Sequence, residues 1–128
     1  MAVVALLAPV GCSLGGDDEP QSVSGPAKEV AAAVERFEQA VARRDFKTIC
    51  NQLFTATARQ RAGGDDCVAQ TSTAVEGLRR PRLQIEEIRV SHDTAAVKVA
   101  TEASGQARVI DSMELRKTDG RWLVEAVG

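Results

Sequence analysis

The sequence is poor in the side chains that carry aromatic stacking and acid–base chemistry. Its 128 residues include no Tyr, three Phe, one Trp and one His. A single-stranded nucleic acid would find few aromatic platforms to stack on. The formal net charge is -2, so no surplus of basic side chains attracts phosphate backbones either. The composition therefore argues against nucleic-acid binding, and it removes Tyr as a catalytic acid.

Long apolar runs are equally scarce. The only one, MAVVALLAPVG at residues 1–11, is too short for a membrane-spanning helix, which needs about 20 residues. Its length is typical of the apolar part of an export signal, and we interpret residues 1–11 as a leader segment. Because no Lys or Arg lies within this run, we expect the natural start to lie upstream of Met1.

Cys12 follows the leader directly, and it is one of three cysteines. An odd number leaves one thiol to explain in an exported protein. The stretch LAPVGC resembles the lipobox of bacterial lipoproteins, although Pro9 stands where that motif usually has Leu. The resemblance implies cleavage before Cys12 and a diacylglyceryl group on its sulfur, which would anchor the protein in a membrane.

The residues after Cys12 are rich in Gly, Ser, Pro and acidic side chains, and we interpret residues 12–26 as a flexible tether. The expected location is the outer face of the cytoplasmic membrane, as a lipoprotein. The alternatives are secretion after cleavage of the leader and a cytosolic protein with an apolar N-terminus.

The other two cysteines, Cys50 and Cys67, form an even pair. Outside the cytoplasm such a pair is most simply a disulfide, which would stabilise the fold by about 3 kcal/mol. A zinc site is disfavoured because two Cys and the single His92 leave the tetrahedral set incomplete, so we expect no metal and no cofactor. A catalytic thiol is also disfavoured, since no His is near either cysteine in sequence.

Residues 26–81 have helical periodicity. The first predicted helix begins at Pro26, places Glu38 on its solvent side, and buries a stripe of four residues. That stripe consists of Val30, Val34, Phe37 and Val41. A second short helix covers residues 45–54 with Asp45 as its N-cap. The period is lost over residues 55–64.

A third helix is predicted over residues 65–80, ended by Pro81. Its expected buried stripe consists of Cys67, Val68, Thr71, Val75 and Leu78. After Pro81 the period changes to two, which predicts four antiparallel strands joined by short turns. A phase shift at residues 86–87 indicates a β-bulge. The order predicts an α+β fold, with the N-terminal helices packed on one face of a four-strand antiparallel sheet.

Three stretches carry a family resemblance: VAAAVERFEQAVARRD, FKTICNQL and MELRKTDGRWLVEAV. Together they resemble the nuclear transport factor 2-like, or cystatin-like cone, superfamily, including its SnoaL-like members, over residues 27–128. The resemblance implies that the sheet is curved, wraps a long helix and leaves a conical pocket. We expect that pocket to be lined by Phe37, Val41, Val99, Asp111, Met113 and Trp122. Members of the superfamily often dimerise through the sheet face, so a homodimer is also implied.

Asp111 is the only candidate for chemistry in the predicted pocket. It lies between Val109 and Met113 on an apolar strand face, and an acid in that position is a candidate general base. Ketosteroid isomerase and the SnoaL-like cyclases use a pocket acid in this way. The chain offers no Tyr to stabilise an oxyanion, and Arg108 alternates to the opposite face.

The sequence therefore favours an exported, lipid-anchored, non-catalytic module that binds a small apolar ligand or a protein of the cell envelope. The alternative is an enzyme of the isomerase, dehydratase or cyclase kind that uses Asp111.

Overall fold

The computed structural model describes residues 25–128. Four helices precede a four-strand sheet: α1 (Pro26–Ala42), α2 (Phe46–Thr48), α3 (Ala56–Arg61) and α4 (Cys67–Ala74). The chain continues from α2 into a π-helical turn, Ile49–Leu53, and a 3₁₀ turn, Gly64–Asp66, precedes α4. The strands are β1 (Arg82–Ser91), β2 (Thr94–Glu102), β3 (Val109–Thr118) and β4 (Arg121–Val127). The predicted α+β class is confirmed.

The sheet is an antiparallel meander in the order β1-β2-β3-β4. The predicted bulge is confirmed, because Ile85 pairs with Val99 and Glu87 with Lys98, which leaves Glu86 unpaired. A second register shift lies between Glu114 and Leu115, where β4 carries the extra residue. Bulges increase local twist and bend the strand, so the sheet curves toward the helices.

Apolar side chains of α1 pack on the concave face of this sheet. The main core joins Val30 and Val34 of α1 to residues such as Val97, Leu115 and Val124, each almost fully buried. A smaller cluster around Ile49 packs between α1 and the π-helical turn. The α1 stripe therefore does what its spacing predicts, since one face of a helix covers one face of a sheet.

Asp45 caps α2 as predicted. Its carboxylate accepts hydrogen bonds from the backbone N–H of Thr48 (3.3 Å) and from the Thr48 hydroxyl (2.7 Å). These bonds, the hydroxyl one foremost, hold the pKa of Asp45 below its ordinary value of 3.8, because they stabilise the charged form.

Three expectations about the helices were wrong. Helix α3 lies in the stretch where the sequence shows no helical periodicity. Ala58 is its only buried residue, and a single buried position produces no apolar stripe. Helix α4 ends at Ala74 rather than near Pro81, since Gly77 (φ 86°) adopts a left-handed turn conformation. Val68 is 40% exposed instead of buried.

Glu38 was expected on the solvent side of α1, and it is half-buried. Its carboxylate accepts a hydrogen bond from the backbone N–H of Leu83, on the open edge of β1. Spacing of four from Val34 and three to Val41 places Glu38 beside the apolar stripe, which explains its burial.

Candidate functional site

An apolar cavity of about 320 Å³ lies between α1, α4 and the concave face of the sheet. Its walls come from five parts of the chain that are distant in sequence. They are Phe37, Glu38, Val41, Phe54, Ala62, Thr71, Ala74, Val75, Leu78, Pro81, Leu83, Thr101 and Val127. This volume is at the lower end of the range for small-molecule sites, about 300–1,000 Å³.

Aromatic and aliphatic side chains form the floor of the cavity. The rings of Phe37 and Phe54 stack with their centroids 6.2 Å apart. Phe54 is held there by the backbone, because it forms a parallel bridge with Val124 of β4 and the next residue, Thr55, donates its N–H to the carbonyl of Val124 (2.9 Å). The floor is therefore fixed by hydrogen bonds between the helical layer and the last strand.

A disulfide holds the α4 wall in place. Cys50 and Cys67 are bonded, with their Cα atoms 6.1 Å apart, and this confirms the predicted pairing. Both sulfurs lie near the hydroxyl of Thr71, at 3.8 Å from Cys50 and 3.7 Å from Cys67. Because Thr71 of α4 and Val75, the C-cap of that helix, line the cavity, the disulfide fixes the position of that wall relative to the π-helical turn.

The polar groups in the walls are largely occupied by the protein itself. The Glu38 carboxylate accepts from Leu83, and the Thr71 hydroxyl lies against the disulfide sulfurs. Such a cavity can bind a ligand by removing the ligand's apolar surface from water. It does not present a set of groups that could transfer protons.

Comparison with known proteins supports a fold assignment. No protein-family model matches the chain, and no curated protein matches it in sequence. Among solved structures, a nuclear transport factor 2-like protein from Shewanella oneidensis is 16% identical, with 80% of this chain and 97% of that chain covered and a TM-score of 0.62. A second, from Silicibacter pomeroyi, is 19% identical, with 78% and 90% covered and a TM-score of 0.59.

A de novo designed protein of the same fold is 14% identical and has a TM-score of 0.56, with 81% of this chain and 87% of that chain covered. The chain has the nuclear transport factor 2-like fold. At these identities the likeness concerns the fold alone, and both natural proteins are described as being of unknown function.

The residues that were expected to line one pocket lie in several parts of the structure. Phe37 and Val41 line the cavity. Val99 and Met113 lie in the core under α1, each 1% exposed, and are not among the lining residues. Trp122 is also buried and donates its indole N–H to Glu29 (3.3 Å), at the opposite end of α1 from the cavity.

Asp111 lies on the concave face of the sheet, opposite Val99 and close in register to Thr101. It is half-buried and is not a lining residue of the cavity. Within residues 25–128 its carboxylate has no side-chain hydrogen bond and no ion pair. Arg108 pairs instead with Glu86 and, at 3.5 Å, with Glu102.

His92 lies in the exposed turn between β1 and β2, at φ 53°. In the part of the chain that the structure describes, no group of three or more His, Cys, Asp or Glu side chains could hold a metal ion. None of the helices in this part is long and apolar enough to cross a membrane. Cys12 and the expected leader and tether, up to residue 24, lie outside the described residues.

Several lining residues could not be predicted from the sequence. Phe54 and Val127 reach the cavity only because β4 pairs with the segment after the π-helical turn. The half-buried position of Glu38 could have been predicted, because its spacing from Val34 and Val41 places it at the border of the apolar stripe.

Proposed function

We propose that the protein is an exported, lipid-anchored, non-catalytic module that binds a small apolar ligand in the cavity between α1, α4 and the sheet. The observation that carries the proposal is the composition of the walls, in which apolar side chains dominate and Glu38 and Thr71 already have partners in the protein. An apolar ligand would gain by leaving water, at about 25 cal/mol for each Å² of surface it buries.

Ligand binding is tested with a neutral fluorescent probe, N-phenyl-1-naphthylamine. Ala74 lines the cavity, so Ala74→Trp should fill it and weaken probe binding by about ten-fold or more, which is about 1.4 kcal/mol. Ala69→Trp is the matched control, because Ala69 is an exposed residue of the same helix that does not line the cavity. Equal affinity in both variants would show that the probe does not use the cavity.

The exported, lipid-anchored part of the proposal rests on LAPVGC and is supported by the disulfide between Cys50 and Cys67, a bond found mainly outside the cytoplasm. Expression with the leader in a lipoprotein-exporting bacterium tests it. The intact mass, taken without reductant, should correspond to a chain that starts at Cys12 with a diacylglyceryl group. An unmodified chain that retains Met1 would refute the anchor.

A second candidate function, contact with an envelope protein or a second copy of the chain, is favoured by exposed apolar side chains on β3 and β4. Ile110, on the face of β3 that points away from α1, is 47% exposed, and Val109 and Val127, on the concave face, are 49% and 51% exposed. Sedimentation of the folded domain, alone and with Ile110→Ser, tests self-association; a monomer at all concentrations would exclude the homodimer.

The enzyme that uses Asp111 has less support. Within residues 25–128, no second titratable side chain hydrogen bonds to Asp111. A general base that acts alone also lacks the group that would stabilise the developing charge. We therefore expect Asp111→Asn to bind the apolar probe as tightly as the parent protein does.

A further inference from the structure

A second concavity, on the face of α1 that points away from the apolar cavity, is lined by three arginines. It is a groove of about 260 Å³ between α1, α2 and the start of β4. Arg36 lies on α1, Arg43 is the C-cap of the same helix two turns further along, and Arg121 begins β4. The fold thus brings a guanidinium group from the C-terminal half of the chain to two from the N-terminal half.

None of the three guanidinium groups forms an ion pair with a carboxylate of residues 25–128, although five ion pairs occur elsewhere in that range. Unpaired positive charges that face one groove repel each other, and an anion bound between them would relieve that repulsion. Arginine suits this role because its planar guanidinium donates two parallel hydrogen bonds to phosphate or carboxylate.

The acidic side chains next to the groove are already engaged. Asp45 lies in the groove wall, and its pKa is lowered by the hydrogen bonds from Thr48 and, to a smaller extent, by the nearby charge of Arg43. One carboxylate therefore lies among three guanidinium groups. Glu29, in the adjoining hollow that also contains Arg36 and Arg121, accepts from the indole of Trp122 and lies 3.9 Å from the Lys117 ammonium. Positive charge therefore dominates in the groove.

Neutral polar side chains complete the walls. Gln39 and Gln52 add amide groups that can donate to oxygen atoms. The groove, at about 260 Å³, is large enough for a phosphate group or an anionic head group.

We propose that Arg36, Arg43 and Arg121 form a binding site for a phosphate group. The ligand would be either a soluble phosphate ester or the head group of an anionic lipid, which share this chemistry. The site is independent of the apolar cavity, because the two sets of α1 residues lie on nearly opposite faces of the helix.

The test uses residues 12–128 with Cys12→Ser, so that neither the apolar leader nor a lipid anchor contributes to membrane binding. In one arm, inorganic phosphate is titrated at constant ionic strength and followed by ¹H–¹⁵N NMR. In the other arm, binding is measured to phosphatidylcholine vesicles with and without phosphatidylglycerol. Arg36→Gln and Arg121→Gln are compared with Arg89→Gln, whose arginine is exposed on β1 and pairs with Glu87.

We expect Arg36→Gln and Arg121→Gln each to weaken binding by about five-fold or more, while Arg89→Gln changes it little. Loss in the phosphate arm identifies a soluble phosphate ester as the ligand class, and loss in the vesicle arm alone identifies a lipid head group. The proposal is overturned if neither probe binds, or if the two groove variants behave like Arg89→Gln in both arms. Circular dichroism establishes that all three variants are folded.

Discussion

Breaking the disulfide should destabilise the whole domain by an amount that the structure sets. Cys50 and Cys67 are 17 residues apart, and on the chain-entropy model a loop of that length restrains the unfolded chain by about 3 kcal/mol. For a domain of about 100 residues, such a loss lowers the melting temperature by roughly 10–25 °C. The loss acts mainly through the unfolded state, so the folded structure need not change for it to appear.

The assay is urea unfolding of the Cys12→Ser chain, followed by circular dichroism with and without a phosphine reductant. Reductant should lower the free energy of unfolding by about 3 kcal/mol, and Cys50→Ala/Cys67→Ala should reproduce that loss. The double variant also provides the control, because reductant should not affect it further. If the reduced parent is as stable as the oxidised one, the disulfide does not constrain the chain as reasoned here.

The double variant Cys50→Ala/Cys67→Ala should also weaken ligand binding through a local change in the cavity wall. The disulfide holds the helix of Thr71, and both Thr71 and Val75, the C-cap of that helix, line the cavity. The affinity of the double variant for N-phenyl-1-naphthylamine should therefore fall further than the affinity of a variant that is destabilised equally but keeps the disulfide. Phe46→Ala is such a comparison, because truncation of a buried Phe costs about 3–5 kcal/mol and Phe46 does not line the cavity. Equal affinities would show that the wall keeps its position without the disulfide.

Three further outcomes follow from single residues. Glu38→Ala should lower the free energy of urea unfolding by about 1 kcal/mol, because the hydrogen bond from the Leu83 N–H is lost at a half-buried site. Glu35→Ala, at an exposed position of the same helix, should lower it little. Equal losses in the two variants would contradict a role for that hydrogen bond. The pKa of Asp45 is lowered in the folded state, so its stabilisation is present above pH 3.8 and is lost as the pH falls through the lowered value. Asp45→Asn should therefore remove part of the acid sensitivity of unfolding, and an unchanged pH profile would argue against it. Thr48→Val, which removes the hydroxyl donor, should raise the pKa of Asp45 in an NMR titration.

The elements with strong periodicity could be predicted from the sequence. Three patterns show which side of an element is buried: the α1 stripe from Val30 to Val41, the alternation along β2 and the phase shift at Glu86. Each reflects the burial of apolar side chains, which is the main signal that a sequence carries about secondary structure. The pairing of Cys50 with Cys67 needed only the number of cysteines and an expected compartment.

The rest depends on contacts between distant segments. Helix α3 has one buried residue, Ala58, and so carries no pattern that a sequence could show. Met113 and Trp122 were assigned to the correct face of the sheet, but the sequence does not say which end of that face α1 covers. The cavity also needs Phe54 and Val127, and Phe54 is held beside β4 by its bridge to Val124, a contact between segments about 70 residues apart.

Both edges of the sheet are protected against pairing with another strand. On β1 the bulge at Glu86 interrupts the ladder, and the Glu38 carboxylate occupies the Leu83 N–H. On β4 the extra residue near Glu125 interrupts the ladder, and Thr55 occupies the Val124 carbonyl. Natural proteins use such features to prevent edge-to-edge aggregation. Within residues 25–128 these features disfavour strand addition at the sheet edges, so a concentrated solution of the folded domain should resist growth into fibrils by that route.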